Sequence, residues 1–311
     1  FNSINSFLKN MNISVVLLTG RDKGKSRHSK LDEIQNGRAQ IVVGTHALFQ
    51  ENVIFKNLIF AVIDEQHRFG VQQRMALAQK GINVDVLVMT ATPIPRSLSL
   101  TYYGDMDISL LDEKPKNRKP ITTAVMADSK LEKIFHRLDI SLNAGRRVYW
   151  VCPLIEDSDV LQITSAELRY RLLKARFPKK VVALVHGQMG SDNKDDIMRK
   201  FSNGEINLLV STTVIEVGLD VPAASIMIVE GAERFGLAQL HQLRGRVGRG
   251  ADHASCILIY SGNLSKKSKA RLEILRDTED GFRIAEEDLR IRGAGDLLGS
   301  QQSGLPKFLI A

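Results

Sequence analysis

Short runs of β-branched and aliphatic residues alternate with helical stretches almost from one end of the chain to the other. That alternation is the mark of parallel sheets joined by crossover helices, so the pattern predicts an α/β fold. Up to about residue 112 the strand runs are Ile13 to Leu18, Ile41 to Gly44, Ile59 to Ile63 and Val84 to Met89, with helices expected around 27 to 36, 71 to 80 and 95 to 103. These runs leave the first half short of strands. Later runs at Ile121 to Met126, Val148 to Cys152, Val181 to Val185, Leu208 to Ser211, Ile226 to Val229 and Cys256 to Tyr260 supply six, enough for a complete sheet.

Between the halves lies Lys114-Pro115-Lys116-Asn117-Arg118-Lys119-Pro120. It has no apolar residue to pack and two prolines that fix φ, so we place a domain boundary there. One helix beyond it opens with Ser129-Lys130-Leu131-Glu132, a capping-box pattern in which hydroxyl and carboxylate would each satisfy a free backbone N–H. Leu131, Ile134, Phe135 and Leu138 then share one face. From about 264 to 292 the strands give way to a basic-then-acidic helical pair that ends in the glycine-rich RGAGDLLG. The expected domains are residues 1–114, 115–262 and 263–311.

With 311 residues the chain is long enough for two domains, and 43% hydrophobic with 25% charged residues excludes a disordered or fibrous protein. No apolar run approaches the roughly 18 to 20 residues needed to span a bilayer, and the start, FNSINSFLKNMN, has no secretory pattern. Neither membrane nor secretion is indicated. Cys152 and Cys256 sit in apolar strand-like runs without metal-ligand spacing, which reads as buried thiols in a reducing cytoplasm. A net charge of +8 favours a polyanionic partner.

Candidate chemistry concentrates in a few segments. In Ile59 to His67 an apolar strand delivers Asp64 and Glu65 at its carboxyl end, where open α/β sheets hold their ligands. Such a pair could divide the tasks of holding Mg²⁺ and activating a water, although most acidic pairs of this kind are solvated strand ends. Asp85 to Met89 runs into Thr90-Ala91-Thr92-Pro93, whose hydroxyls by themselves suit an N-cap. In HQLRGRVGRG, Arg244, Arg246 and Arg249 are interleaved with three glycines. Arg246 and Arg249 lie three apart, so both can face one side of a helix end and clamp phosphate oxygens.

Taken together these segments resemble the superfamily 2 helicases. DEQHRFG (64–70), TATPIPRSL (90–98), STTVIEVGLDVP (211–222) and HQLRGRVGRG (241–250) are similar to motifs II, III, V and VI, in the same order. DEQHRFGV, VGTHALFQ (43–50), YWVCPLIEDSD (149–159) and GAERFGLAQLHQLRGRVGRG (231–250) resemble the RecG family of ATP-dependent DNA helicases. DGFRIAEEDLRIRGAGDLLGSQQSG (280–304) is similar to the translocation motif that this family shares with the Mfd-like transcription-repair coupling factors. The resemblance implies RecA-like sheets: part of a first lobe, a complete second lobe and a C-terminal helical hairpin.

It implies roles as well. Asp64 would hold Mg²⁺ and Glu65 would be the general base, while His67, Thr90 and Thr92 would couple nucleotide state to DNA grip. Arg246 and Arg249 would be arginine fingers, supported by Gln242, with Gly218 and Asp220 lining the nucleotide side. Gly44, Thr45, His46, His186, Thr212 and Thr213 match places where such motors touch a nucleic-acid backbone through exposed N–H and hydroxyl groups. Arg283, Asp288, Arg292 and Gln302 would belong to a lever that turns lobe closure into sliding along duplex DNA. The implied activity is ATP-dependent remodelling of branched double-stranded DNA, at stalled forks and Holliday junctions, by a cytoplasmic, nucleoid-associated bacterial monomer. Single-stranded DNA-binding protein is a further expected partner.

A motor also needs a phosphate loop, G-x-x-x-x-G-K-[ST]. Gly20-Arg21-Asp22-Lys23-Gly24-Lys25-Ser26 mimics one but separates its glycines by three residues where four are needed, and Asp22 would repel phosphate. Arg21, Lys23, Lys25, Arg27 and Lys30 then read as a basic loop at the DNA-facing side or in solvent. We therefore expect the true loop to lie upstream of Phe1 and the 311-residue piece alone to be inactive. Two other readings stand beside the helicase: the motor part of an Mfd-like coupling factor, and a non-enzymatic DNA-binding module.

Overall fold

The computed structural model describes residues 1–65, 76–91, 106–115, 118–153, 159–212, 221, 223–250 and 253–292, the side chains of 159–163 and 292 excepted. Its described residues fall into two compact units, one up to Ala91 and one from Met106 to Arg292.

The first unit contains α1 (Asn2–Leu8), β1 (Val15–Leu18), α2 (Gly24–Gln35), β2 (Ile41–Gly44), a 3-10 turn at His46–Phe49, β3 (Phe60–Ile63) and β4 (Asp85–Val88). β1 pairs in parallel with β2, Val15 opposite Ile41, and β3 pairs in parallel with β4, Phe60 opposite Asp85. Val16, Leu18, Ile34, Ala47 and Val53 form the core beneath the first pair, and Ala61, Ile63 and Leu77 that beneath the second. Each expected strand of this half is present. α2 begins at Gly24, three residues earlier than the apolar period indicates, because the turn that precedes it closes early on Asp22.

The second unit is built on β5 (Ile121–Ala127), α3 (Leu131–Asn143), β6 (Arg147–Val151), α4 (Asp159–Arg176), β7 (Val182–Val185), α5 (Ser191–Asn203), β8 (Leu208–Ser211), β9 (Ala224–Glu230), α6 (Leu237–Arg244), β10 (Ala254–Tyr260), α7 (Lys266–Asp277) and α8 (Gly281–Arg292). All six strands lie in one parallel sheet in the order β5-β10-β9-β6-β8-β7. Successive side chains of a strand point to opposite faces, so each central strand feeds two cores. Tyr149 and Val151 pack on the face covered by Leu237, Leu240 and Leu243 of α6 and Leu272 of α7. Val148 and Trp150 pack on the other, against Ile134, Phe135 and Leu138 of α3 and Leu173 of α4. Burial on both faces is why β8 and β9 read as continuous apolar runs.

The capping box does not form. Asp128–Lys130 is a 3-10 turn that leads straight into α3, and no side chain caps the helix. Ser129 lies within that turn, and the Glu132 carboxylate reaches Arg176 of α4 at 3.1 Å instead of folding back. The expected apolar face holds, with Leu131 only partly buried and Leu142 completing the stripe.

Candidate functional site

In the first unit, burial of Ala61 and Ile63 fixes β3 in place, and the strand ends where its residues turn polar, at Asp64 and Glu65. Glu65 has φ 52°, a left-handed backbone that a non-glycine residue adopts at a cost of about 1–3 kcal/mol and that functional turns favour. The turn is closed by Asp64 Oδ1, which accepts from the Glu65 N–H at 2.8 Å. Ile63 lies opposite Val88, and Met89 N–H donates to the Ile63 carbonyl at 2.8 Å, so Thr90 leaves β4 at the edge where Glu65 leaves β3. The structure thereby brings Asp64, Glu65 and Thr90 together. His67 and Thr92 lie outside the described residues.

Among the described residues no three His, Cys, Asp or Glu side chains converge to hold a metal by themselves. Hard carboxylate oxygens nevertheless suit Mg²⁺, which keeps most of its shell as water and phosphate oxygen and asks a protein for only one or two carboxylates. Asp64 fits that modest demand.

The loop after β1 cannot cradle a phosphate. Asp22 Oδ2 accepts from Thr19 N–H at 2.7 Å and from Thr19 Oγ1 at 3.1 Å, and Asp22 Oδ1 takes the Lys30 ammonium at 2.5 Å. These partners, Lys30 foremost, hold the Asp22 carboxyl below its usual range. A carboxylate thus fills the place an anion would need. Farther on, Gly44 ends β2 with Thr45 and His46 exposed beside it at the start of the 3-10 turn. A Cβ at Gly44 would collide with the Leu18 carbonyl and approach Leu48 Cγ to 2.7 Å, so the close passage of two backbones requires glycine here.

The second unit carries the arginines. α6 stops at Arg244, so Arg246 and Arg249 do not share a helical face as their spacing suggested. Arg246 sits in the turn, its N–H donating to the Leu243 carbonyl at 3.0 Å, and Arg249 follows the left-handed Gly248 at φ 73°. Beyond the helix end Gly248 packs closely: a Cβ there would lie 3.0 Å from Ala254 Cβ and 3.2 Å from Ile121 Cγ1. Arg249 is exposed, with its Nε donating to the Gly245 carbonyl at 3.2 Å. Gln242 is half-buried on α6, whereas Gly218 and Asp220 lie outside the described residues.

The nucleic-acid candidates divide. His186 follows β7 half-buried, and among the described residues its buried Nδ1 has no hydrogen-bond partner. Thr212 is 3% exposed and its N–H faces the Val185 carbonyl at 3.4 Å, so the exposed amide and hydroxyl expected there are absent. The reason is its place, one residue past a strand interior to the sheet. Arg283 is exposed and Asp288 half-buried on α8, whose first turn is capped by Asp280 Oδ1 accepting from Phe282 N–H at 2.9 Å. Arg292 is helical; its side chain, Thr213 and Gln302 lie outside the described residues.

Sequence reasoning missed Arg244, which is 2% exposed. Its guanidinium donates to the carbonyls of Leu275 at 2.6 Å and Thr278 at 2.8 Å and to His241 Nδ1 at 2.9 Å, joining α6 to the end of α7. The spacing held a signal, since Arg244 lies seven residues after Leu237 on the buried face of the helix. Burial, then the neighbouring Arg244, push the His241 imidazole down to about 4, consistent with a neutral ring accepting at Nδ1. Nearby, Glu279 accepts from Lys114 and from the Ile121 N–H, while Arg118 donates to the Gly245 carbonyl at 3.2 Å.

Residues 1–100 match the DEAD/DEAH box helicase family, 129–251 the helicase conserved C-terminal domain, and 278–310 the C-terminal part of domain 3 of ATP-dependent DNA helicase RecG. The ATP-dependent DNA helicase RecG of Haemophilus influenzae is 50% identical over 315 residues, covering 100% of this chain and 46% of the relative. That of Bacillus subtilis is 48% identical over 310 residues, covering 99% and 45%. The chain thus spans about half the length of these relatives. A solved structure of RecG bound to a three-way DNA junction is similar at a TM-score of 0.76 and 40% identity, over 99% of this chain and 39% of that one. Saccharomyces cerevisiae Dbp5 bound to RNA and ADP BeF3, at 14% identity and TM-score 0.61 over 94% and 76%, shares the fold alone. These matches favour neither a coupling factor nor a non-enzymatic module. A chain that shares every second residue with such proteins along its whole length, and shares their RecA-like fold, belongs to the RecG family of superfamily 2 ATP-dependent DNA helicases.

Proposed function

We propose that this chain supplies motor machinery for ATP-driven translocation on branched double-stranded DNA, the three-way junction being the substrate of first choice. The observation that carries the reading is the strained turn at Asp64 and Glu65, set at the carboxyl end of β3 in a chain half identical to RecG helicases. Bound Mg²⁺ would screen phosphate charge and organise water. Asp64 would hold that ion, and Glu65 would orient and deprotonate the attacking water. Thr90, leaving the neighbouring strand at the same edge, would sense whether the nucleotide is present. Arg246 and Arg249 would neutralise charge on the transferring phosphoryl group, with Gln242 in support.

No segment of the 311 residues has the G-x-x-x-x-G-K-[ST] spacing, so we assign hydrolysis to the longer protein and not to this stretch by itself. The division into lobes at 1–114 and 115–262 and a hairpin at 263–311, the lever role of α8, and a cytoplasmic, nucleoid-bound workplace belong to the same reading. Its test uses the longer protein on a junction substrate. E65Q should bind ATP normally and lose turnover by at least about 100-fold, whereas R292A should hydrolyse ATP yet unwind poorly. Full turnover in E65Q would refute the catalytic assignment, and equal loss of hydrolysis in both variants would refute the lever.

A further inference from the structure

A second polar constellation lies at the carboxyl end of the central strands of the second unit. Glu230 is the last residue of β9, and its side chain is clamped from two elements. Trp150 Nε1 of β6 donates to Glu230 Oε2 at 2.9 Å, and Arg169 of α4 forks onto the same carboxylate, Nε to Oε2 at 2.8 Å and Nη2 to Oε1. The guanidinium also stacks over the indole, 5.4 Å from the ring centroid. Trp150 is wholly buried, and the Arg169 and Glu230 side chains are mostly so. Drawing a carboxylate and a guanidinium out of water carries a desolvation cost that a well-packed apolar pair would avoid. A fork of this kind adds fixed geometry more than stability.

What the clamp fixes is the exit from β9. Gly231 turns left-handed at φ 61°, a 3-10 turn covers Ala232–Arg234, and α6 then runs to Arg244 and the turn with Arg246 and Arg249. A Cβ on Gly231 would come within 3.0 Å of Pro153 Cβ and Cγ, so the end of β6 braces the same bend. α4 and α6 lie on opposite faces of the sheet, because Leu173 joins one core and Leu237, Leu240 and Leu243 the other. The Glu230 side chain is held on the α4 face, while its backbone leads into the bend from which α6 departs on the other.

We propose that Glu230, held by Arg169 and Trp150, is a positioning residue for the arginine turn. It fixes the bend from which α6 departs, so that Arg246 and Arg249 arrive in register for phosphoryl transfer. The inference rests on the function proposed above.

The test has two arms. In the 311-residue chain, which contains one tryptophan, Trp150 emission is compared among wild type, E230Q and R169K. Both variants should shift the emission while far-ultraviolet circular dichroism stays unchanged, since a lysine keeps the charge but loses the fork. In the longer protein on junction DNA, both should keep the KM for ATP and the DNA affinity within about twofold and lose kcat by on the order of 10-fold, the signature of groups displaced in the transition state only. Unchanged emission in folded variants, or unchanged kcat at a temperature where they are folded, would overturn the proposal. So would a loss of DNA affinity as large as the loss of kcat, which marks general distortion. A wild type without DNA-stimulated turnover, or one indifferent to R246A and R249A, would sink the proposed function. Dead finger variants beside a fully active E230Q would sink only this inference.

Discussion

Arg244→Met is the sharpest perturbation of the second unit. Methionine replaces the buried stem of Arg244 with similar bulk and removes every donor. The carbonyls of Leu275 and Thr278 and the Nδ1 of His241, now served at 2.6, 2.8 and 2.9 Å, are left without their guanidinium. Each buried acceptor without a partner costs about 1–3 kcal/mol. Part of that loss is offset because a guanidinium no longer has to be desolvated. The expected net cost is roughly 3 kcal/mol, which in a unit of this size lowers the melting temperature by about 6–12 °C. Calorimetry or circular dichroism on the 311-residue chain measures it. A second observable comes from the same substitution, since after burial Arg244 is the largest cause of the low His241 value. Proton NMR titration should find His241 above its wild-type value of about 4 in R244M. A shift in melting below about 1 °C together with an unmoved His241 would refute the idea that this guanidinium staples α6 to α7.

Three further outcomes follow from the geometry. Gly44→Ala drives a methyl into the Leu18 carbonyl and to 2.7 Å from Leu48 Cγ, so it should destabilise the first unit by about 1–3 kcal/mol in urea unfolding and speed amide exchange in β1 and β2. His241 is near 4 when folded against 6.5 as a free side chain, so between those values the unfolded chain binds the proton and the folded one does not. Stability from this group is complete above pH 6.5 and falls by up to about 3 kcal/mol as the pH drops to 4; melting scans of wild type and H241Q across that window would show the slope flatten in the variant. Cys152 and Cys256 are buried, and burial raises both thiols, Cys256 to about 12, so neither should react with a disulfide reagent at pH 8 until the chain unfolds.

The period of apolar residues located the strands to within a residue or two, because a strand buried on both faces has little freedom to be anything but continuously apolar. β9 is the instructive margin: the run at Ile226 to Val229 marks its centre, while Ala224 and Glu230 join through pairing with β6 and β10 that no local pattern reports. Local chemistry misled at Ser129, where a capping signature was overruled by a 3-10 entry and by an Arg176 brought in from another helix. It misled again at Arg246 and Arg249, whose spacing fits a helix that has already ended at Arg244, with a left-handed Gly248 between them.

The residues along the chain therefore determined the α/β class, the placement of paired carboxylates at a strand end, the unfitness of the Gly20–Ser26 loop for phosphate and the family resemblance. Only the tertiary structure decided which polar groups are bound to one another. Trp150 and Arg169 stand 80 and 61 positions from Glu230, and they reach it because β6 and β9 are neighbours in the sheet and α4 packs on the face that Trp150 shares. Periodicity and capping act over a few residues, whereas strand order is settled by the burial of the whole core, and it is strand order that chooses the partners of a half-buried charge.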